Sequence, residues 1–261
     1  MREGFSITKV ALLIPCYNEE EGIGIVLDNI PRQRLANLGI DLDILVIDNN
    51  SHDKTAEVAR SKGVRVITEK RQGKGCALVT GFKHVKDDVD IVAMIDGDAS
   101  YNVLELTRLI EPIEQNFCDV VVGSRLQGKI MTGSMKRFNR MGNWLFTFLA
   151  RTGYKTNVTD VCSGFFAWKK KVVDDLIPHL ESTHFSIEME MIAKMAKMDY
   201  DCYSMPISYH ERNGRSNLRP IVDGAIILRE WLRNITWSPT EVTAKSYAEV
   251  AKDTLASKTG Q

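Results

Sequence analysis

The 261-residue chain lacks most of the features that quickly assign a protein to a class. It has no net charge, because 34 basic residues balance 34 acidic ones, so no global field recruits nucleic acid. Its five cysteines (16, 76, 118, 162 and 202) are odd in number and include no C-x-x-C pair. That argues against a disulfide framework and a structural zinc site, and it suits a reducing cytoplasm. None of the five histidines has a metal-ligand partner at helical spacing, which disfavours a zinc hydrolase. The longest stretch without a charge is ten residues, Met141–Ala150, whereas a membrane span needs about 20 apolar residues. The amino-terminal region, with Glu3 and a proline-interrupted apolar run, does not read as a secretory signal. The expectation is a cytoplasmic protein able to lie on the cytoplasmic face of a membrane without crossing it. One further absence is local. Between Val120 and Thr159 there is no acidic residue, while Arg125, Lys129, Lys136, Arg137, Arg140, Arg151 and Lys155 are all basic.

What is present reads as a layered α/β protein. With 44% hydrophobic and 26% charged residues the chain can build a sizeable core. Apolar runs at "ITKVALLIP", "LDILVID", "VRVITE", "DIVAMID" and "CDVVVGS" predict five strands. Helices are expected between them, over about 20–30, from a Ser51 or Asp53 cap to Lys62, over 74–85, and over 102–115. Continuous apolar strands separated by amphipathic helices indicate a parallel sheet covered on both faces. After Ser124 a basic loop leads to an aromatic-rich helix near 138–152, then "VCSGFFAW" and helices near 170–177 and 185–198. The strand "DCYSMPISY", a polar loop and an amphipathic helix near 220–237 follow. A single domain over 1–238 is expected, with halves at about 7–125 and 126–238 and a polar tail, 239–261.

Ligands of such sheets bind beyond the carboxyl ends of the strands. That edge would carry Pro15, Tyr17, Asn18 and Glu19 after the first strand, and Asp48, Ser51 and Asp53 after the second. Asp96 and Asp98 follow the fourth, and Ser124 and Arg125 the fifth. A D-x-D in a turn is ordinary turn chemistry or a divalent-metal pair that can in turn hold a phosphate. Agreement of four strand ends favours the second reading, with Arg125 as a charge-assisted clamp. "EGIGIV" lacks the third glycine of a dinucleotide fingerprint, and "RQGKG" lacks the spacing of a P-loop. The latter is expected to let backbone approach a ligand, with Lys74 near phosphate. Glu188 and Glu190 read as solvated helix charges.

In order, "IPCYNEE", "VIDNNSHDKT", "RQGKG", "MIDGDASYN", "VVGSR" and "DVCSGFFAW" resemble the family 2 glycosyltransferases of the GT-A fold. The branch they resemble most makes polyprenyl- or dolichyl-phosphate sugars, and the likeness covers about residues 9–218. The resemblance implies that Pro15, Tyr17, Asn18 and Glu19 bind the nucleotide, and that Asp48 contacts the base. It implies that Asp96 and Asp98 hold Mg²⁺ or Mn²⁺ with the diphosphate, and that Arg125 lies near phosphate. Departures are Asn49 for a second aspartate, Ser100 for a glutamine ligand, and Asn217 for a lysine in the late loop. Arg137, Arg212, Arg215 and Ser216 are the remaining candidates on the acceptor's phosphate.

The implied reaction is attack of a lipid phosphate on the anomeric carbon of a nucleotide-diphosphate sugar, UDP favoured over GDP. A phosphate monoester, with a second pKa of about 6, is already an anionic nucleophile and needs no general base. The basic-aromatic helix near 138–152 and the stripe Ile227, Leu228, Trp231, Leu232 and Ile235 suit an anionic membrane surface. The alternatives are a haloacid-dehalogenase-type phosphatase, to which "IDGDAS" is close, a silent nucleotide-sugar-binding scaffold, and a transferase with a soluble acceptor.

Overall fold

The computed structural model describes residues 7–214 and 218–239. In its first half strands and helices alternate. β1 (Thr8–Cys16) leads into α1 (Glu20–Asn29) and α2 (Arg32–Asn37), β2 (Ile40–Asp48) into α3 (Thr55–Ser61), and β3 (Arg65–Thr68) into α4 (Lys74–Lys83). β4 (Ile91–Ile95) precedes α5 (Leu106–Glu114) and β5 (Val120–Ile130). The second half holds α6 (Arg137–Tyr154), β6 (Phe165–Lys169), α7 (Lys170–Leu176), α8 (Ile187–Lys197), β7 (Cys202–Tyr209) and α9 (Pro220–Ile235). Pro31 follows the end of α1 and caps the start of α2. A helix start leaves N–H groups free, so proline is tolerated there.

The strands form one mixed sheet in the order β3-β2-β1-β4-β6-β5-β7. All pairs are parallel except the two made by β6, which runs antiparallel between β4 and β5. A buried apolar run such as "FFAW" reads the same in either direction, so its pattern does not encode this reversal. Side chains alternate between two cores, as the strand period of two requires. Val10, Leu12 and Ile14 pack with Ile23, Val26, Leu109 and Ile110 of α1 and α5. Ala11 and Leu13 pack with Leu78, Phe82, Met191 and Ile192 of α4 and α8.

This topology fixes where a ligand can sit. β2 pairs with one side of β1 and β4 with the other, so the order reverses at β1 and a crevice opens beyond the ends of β1 and β4. β6 runs the other way, and its first residue, Phe165, pairs with Ile95, the last of β4. The segment just before β6 therefore arrives at the same edge. After β7 the chain folds back across the D-x-D: the His210 N–H donates to the Ser100 carbonyl (2.8 Å) and the Asn213 N–H to the Asp98 carbonyl (2.9 Å).

Candidate active site

A cleft of about 320 Å³ lies at this edge. Seven of the residues expected from the sequence line it: Pro15, Tyr17, Glu19, Lys74, Asp96, Asp98 and Arg212. They come from β1 and the loop after it, the start of α4, the turn after β4 and the loop after β7. Asn49, His184, Phe185, Arg219 and Asp223 join them.

The Asp96 carboxylate is not bare. Lys74 Nζ lies 2.7 Å from Asp96 Oδ1 and 2.7 Å from Glu188 Oε1, and only 13% of the Lys74 side chain is exposed. Burial disfavours the ammonium, yet the two carboxylates outweigh it and hold Lys74 charged. Burial pushes the Asp96 and Glu188 carboxyls up, against the pull of Lys74. Glu188 is buried, and so is Glu190, which accepts bonds from the Ser182 N–H and from Lys194. The expectation of solvated helix charges is therefore overturned. A buried, Met-rich helix turns both carboxylates inward, because each finds a cation there.

Two glycines make this geometry possible. A Cβ on Gly164, just before β6, would collide with the Asp96 carboxylate, so only glycine lets that side chain lie where it does. Gly73, at φ 128°, presses the "RQGKG" loop onto the Thr183 carbonyl. This close approach to neighbouring backbone seats Lys74, and Gln72, Gly73 and Lys74 of the loop line the cleft.

A second ionic group crosses the cleft. Arg212 Nη2 lies 2.6 Å from Glu19 Oε1 and 3.5 Å from Asp98 Oδ2. Asp98 Oδ1 accepts from the Ser100 N–H (3.0 Å) and hydroxyl (2.5 Å). Glu19 Oε2 and Arg212 Nε are buried with no hydrogen-bond partner among the described residues. Burial drives the Glu19 carboxyl up to about 8 although Arg212 pulls it down, and the charges of Asp98 and Asp96 add to the rise.

Other expected residues stand behind the cleft or away from it. Asn18, at φ 55°, takes a bond from the His52 N–H, and its own N–H donates to Ser51 Oγ (3.0 Å). Asp48 is buried and accepts from the Ser51 N–H (3.3 Å); its neighbour Asn49 reaches the cleft instead. Arg125 is not among the cleft residues. Its Nε and Nη2 pair with the two oxygens of Asp160 at 2.7 and 2.8 Å, and Nη2 also donates to the Cys162 carbonyl. Arg137 lies exposed at the first position of α6, outside the cleft. Arg215, Ser216 and residues 240–261 of the tail lie outside the described residues. The sequence places Lys74, Asp96 and Glu188 in three separate motifs and carries no signal that they meet.

The model of the family described as glycosyl transferase family 2 matches residues 11–177. The chain belongs to the family 2 glycosyltransferases. It is 33% identical over 228 residues to the glycosyltransferase AglJ of Haloferax volcanii, covering 86% of this chain and 71% of that one. It is 32% identical over 223 residues to that organism's dolichyl-phosphate hexose transferase, covering 85% and 92%. Glucosyl-3-phosphoglycerate synthase of Mycobacterium tuberculosis, solved with Mn²⁺, UDP-glucose and phosphoglyceric acid, superposes with a TM-score of 0.69. That structure covers 90% of this chain and 86% of its own at 20% identity, and it shares the fold. The enzyme is thus a glycosyltransferase of GT-A architecture, and the phosphatase and silent-scaffold alternatives are set aside.

Whether a divalent cation fits can be judged from the donors. Among the described residues no three His, Cys, Asp or Glu side chains form a metal-binding group. Of the four carboxylates that line the cleft, Glu19, Asp96, Asp98 and Asp223, the D-x-D turn supplies Asp98 and a partly committed Asp96. A hard cation held by one or two carboxylates, with substrate phosphates and water completing its shell, matches that supply. The residues fit such an ion.

Proposed function

We propose that this enzyme transfers a hexosyl or N-acetylhexosaminyl group from a nucleotide-diphosphate sugar, UDP favoured, to a polyprenyl or dolichyl phosphate. The observation that carries this reading is the surface next to the cleft. Arg219 and Asp223, at the start of α9, border the cleft, and α9 lies alongside α6. Both helices expose large apolar side chains, among them Phe138, Met141, Trp144, Leu145 and Phe148 on α6 and Ile221, Leu228 and Leu232 on α9. No helix among the described residues is long and apolar enough to span a bilayer, so such a face suits peripheral attachment. The α9 stripe is divided. Ile227 is buried and Trp231 packs inward, its Nε1–H on the Leu149 carbonyl (2.9 Å), while Leu228, Leu232 and Ile235 face out. The relative named dolichyl-phosphate hexose transferase, matched over most of its length, supports the same acceptor.

In this reading an acceptor phosphate oxygen forms a bond to the anomeric carbon as the bond from that carbon to the diphosphate breaks. The electron pair leaves with the nucleoside diphosphate, and direct displacement inverts the anomeric configuration. Mg²⁺ or Mn²⁺, held by Asp98 and Asp96, would neutralise the leaving diphosphate. Lys74 keeps Asp96 ionised and aimed. Arg212 and Arg219 supply positive charge where phosphates enter, and Pro15, Tyr17 and Asn49 shape the nucleotide side. No histidine base is required, because the acceptor arrives as an anion. Arg125 then acts through the shape of the segment before β6, and Arg137 remains available to an acceptor phosphate at the start of α6.

The test offers UDP- and GDP-sugars with polyprenyl phosphate in detergent and identifies the lipid product by mass spectrometry. A sugar-phosphate lipid formed only with divalent metal is expected. Transfer to phosphoglycerate but to no prenyl phosphate would replace the lipid acceptor with a soluble one.

A further inference from the structure

A second cavity, about 700 Å³, lies against α6 and shares no residue with the cleft. α9 meets α6 along Phe146, Leu149 and Gly153, so Trp144, Phe148, Arg151 and Thr152 lie on the opposite flank and line this groove. Its far wall is the loop from Lys155 to Thr159. The polar lining is two cations, Arg151 and Lys155, with hydroxyl and amide groups, and it contains no carboxylate. Among the described residues neither cation forms an ion pair.

We infer that this groove binds the phosphate head group of an anionic bilayer phospholipid and thereby fixes how the enzyme lies on the membrane. The inference rests on the membrane-surface reading above and extends it to a specific site. Three observations select this occupant. First, the rim is apolar: Trp144 and Phe148 stack at 5.9 Å and 13° while remaining 61% and 50% exposed. They continue into exposed Phe138, Met141 and Leu145, so phosphate-binding and acyl-binding chemistry adjoin on one helix, as in an amphiphile. Second, every exposed charge on α6 and α9 is basic, because the carboxylates of these helices, Asp223 and Glu230, are buried. Such a face complements an anionic leaflet. Third, Lys155 ends α6 in the left-handed region at φ 56°, a place that glycine fills at lower cost. A lysine there adds a cation to the groove at the expense of backbone comfort. The lipid held here is not the acceptor, whose phosphate must reach the donor's anomeric carbon in the separate cleft.

The experiment is vesicle co-sedimentation with phosphatidylcholine alone and with phosphatidylcholine plus phosphatidylglycerol. Wild type is compared with Arg151→Glu/Lys155→Glu and with Arg140→Glu/Arg229→Glu, an equal charge change outside the groove. The groove variant is expected to lose at least about tenfold more affinity for the anionic vesicles than the control variant does, roughly one pK-sized step in binding energy. Equal losses would mean diffuse attraction and overturn the site. In parallel, a short-chain phosphatidylglycerol below its micelle concentration should shift the Trp144 indole resonance, assigned with Trp144→Phe, in wild type and not in the groove variant. An equal shift with inorganic phosphate would overturn the lipid assignment. Transfer to prenyl phosphate in detergent is measured alongside: its absence in wild type counts against the proposed function, while vesicle binding still decides the groove.

Discussion

Two ion clusters of this protein treat their charges differently. In one, Asp160 is fully buried and accepts from the Arg125 N–H, from Arg125 Nε and Nη2, and from Asn143 Nδ2. The Tyr101 and Tyr209 rings lie 5.9 and 5.2 Å from the Arg125 guanidinium carbon. Both carboxylate oxygens are committed. In the other, Glu19 and Arg212 touch at 2.6 Å while each keeps a buried polar atom without a partner among the described residues. Buried polar atoms are almost always paired in a finished core. We propose that the first cluster is scaffold and that the second holds capacity for a ligand.

The largest expected effect would test the scaffold side of this contrast. Asp160→Ala leaves the Arg125 guanidinium buried and uncompensated, which should destabilise the protein by about 3–5 kcal/mol in a urea titration. A stable Asp160→Ala protein that has lost transfer would move Arg125 back to the role expected from "VVGSR". Next comes the ligand side. Asp98→Asn should lower transfer about 10²- to 10³-fold, as losing one group that steadies developing charge does. Its urea midpoint should stay near wild type, because Asp98 is bonded to Ser100 through an oxygen that the amide retains. Turnover close to wild type would remove Asp98 from the metal.

The nucleotide half was largely legible. β1, β2 and β4 are buried on both faces, so their apolar runs stand out, and their ends coincide with "CYNEE", "DNN" and "DGD". What the sequence could not carry is the arrival of distant segments. Glu188 faces Lys74 because the backbone just before α8, at Ser182 and Thr183, lies against the start of α4, and nothing near "FSIEMEM" records that meeting. Gly164 reaches Asp96 only because β6 is antiparallel, a direction its apolar run leaves unwritten. Arg125 stood out as a lone basic residue, and its partner Asp160, 35 positions on, lay outside the motif that drew attention to it. The α9 stripe misled for a related reason. Helical spacing alone does not separate Trp231, which packs on α6, from Leu232, which faces out.

A smaller effect sharpens the contrast at Asp96. Glu188→Gln removes one of the two carboxylates holding Lys74, leaving the ammonium to Asp96 alone. A buried hydrogen bond to a charged group is worth about 1.5–3 kcal/mol, so a loss of transfer of about tenfold to a hundredfold is expected. If Lys74 positions Asp96 for the donor, the loss should fall partly on KM for the nucleotide sugar. Glu188→Asp should recover less than half of it, since the shorter side chain cannot span the 2.7 Å contact without movement. Steady-state kinetics that leave both constants unchanged would return Glu188 to packing.

The smallest effect concerns Glu19, and its sign separates the two clusters. Burial raises the Glu19 carboxyl from an ordinary 4.5 to about 8 in the folded protein. A folded value above the unfolded one gives stability that is complete below pH 4.5 and is lost as the pH rises towards 8. Above 8 the fold bears the full cost of a buried, half-partnered carboxylate. Glu19→Gln removes that charge while keeping an oxygen for Arg212, so it should stabilise the protein at pH 9 by on the order of 1–2 kcal/mol. At pH 4.5 the variant and wild type should unfold alike. A scaffold residue behaves the opposite way, losing stability when its charge is removed, as Asp160 should. Urea midpoints of Glu19→Gln at pH 4.5, 7 and 9 decide the matter. A variant less stable than wild type at pH 9 would place Glu19 with Asp160, among the residues that hold the fold together.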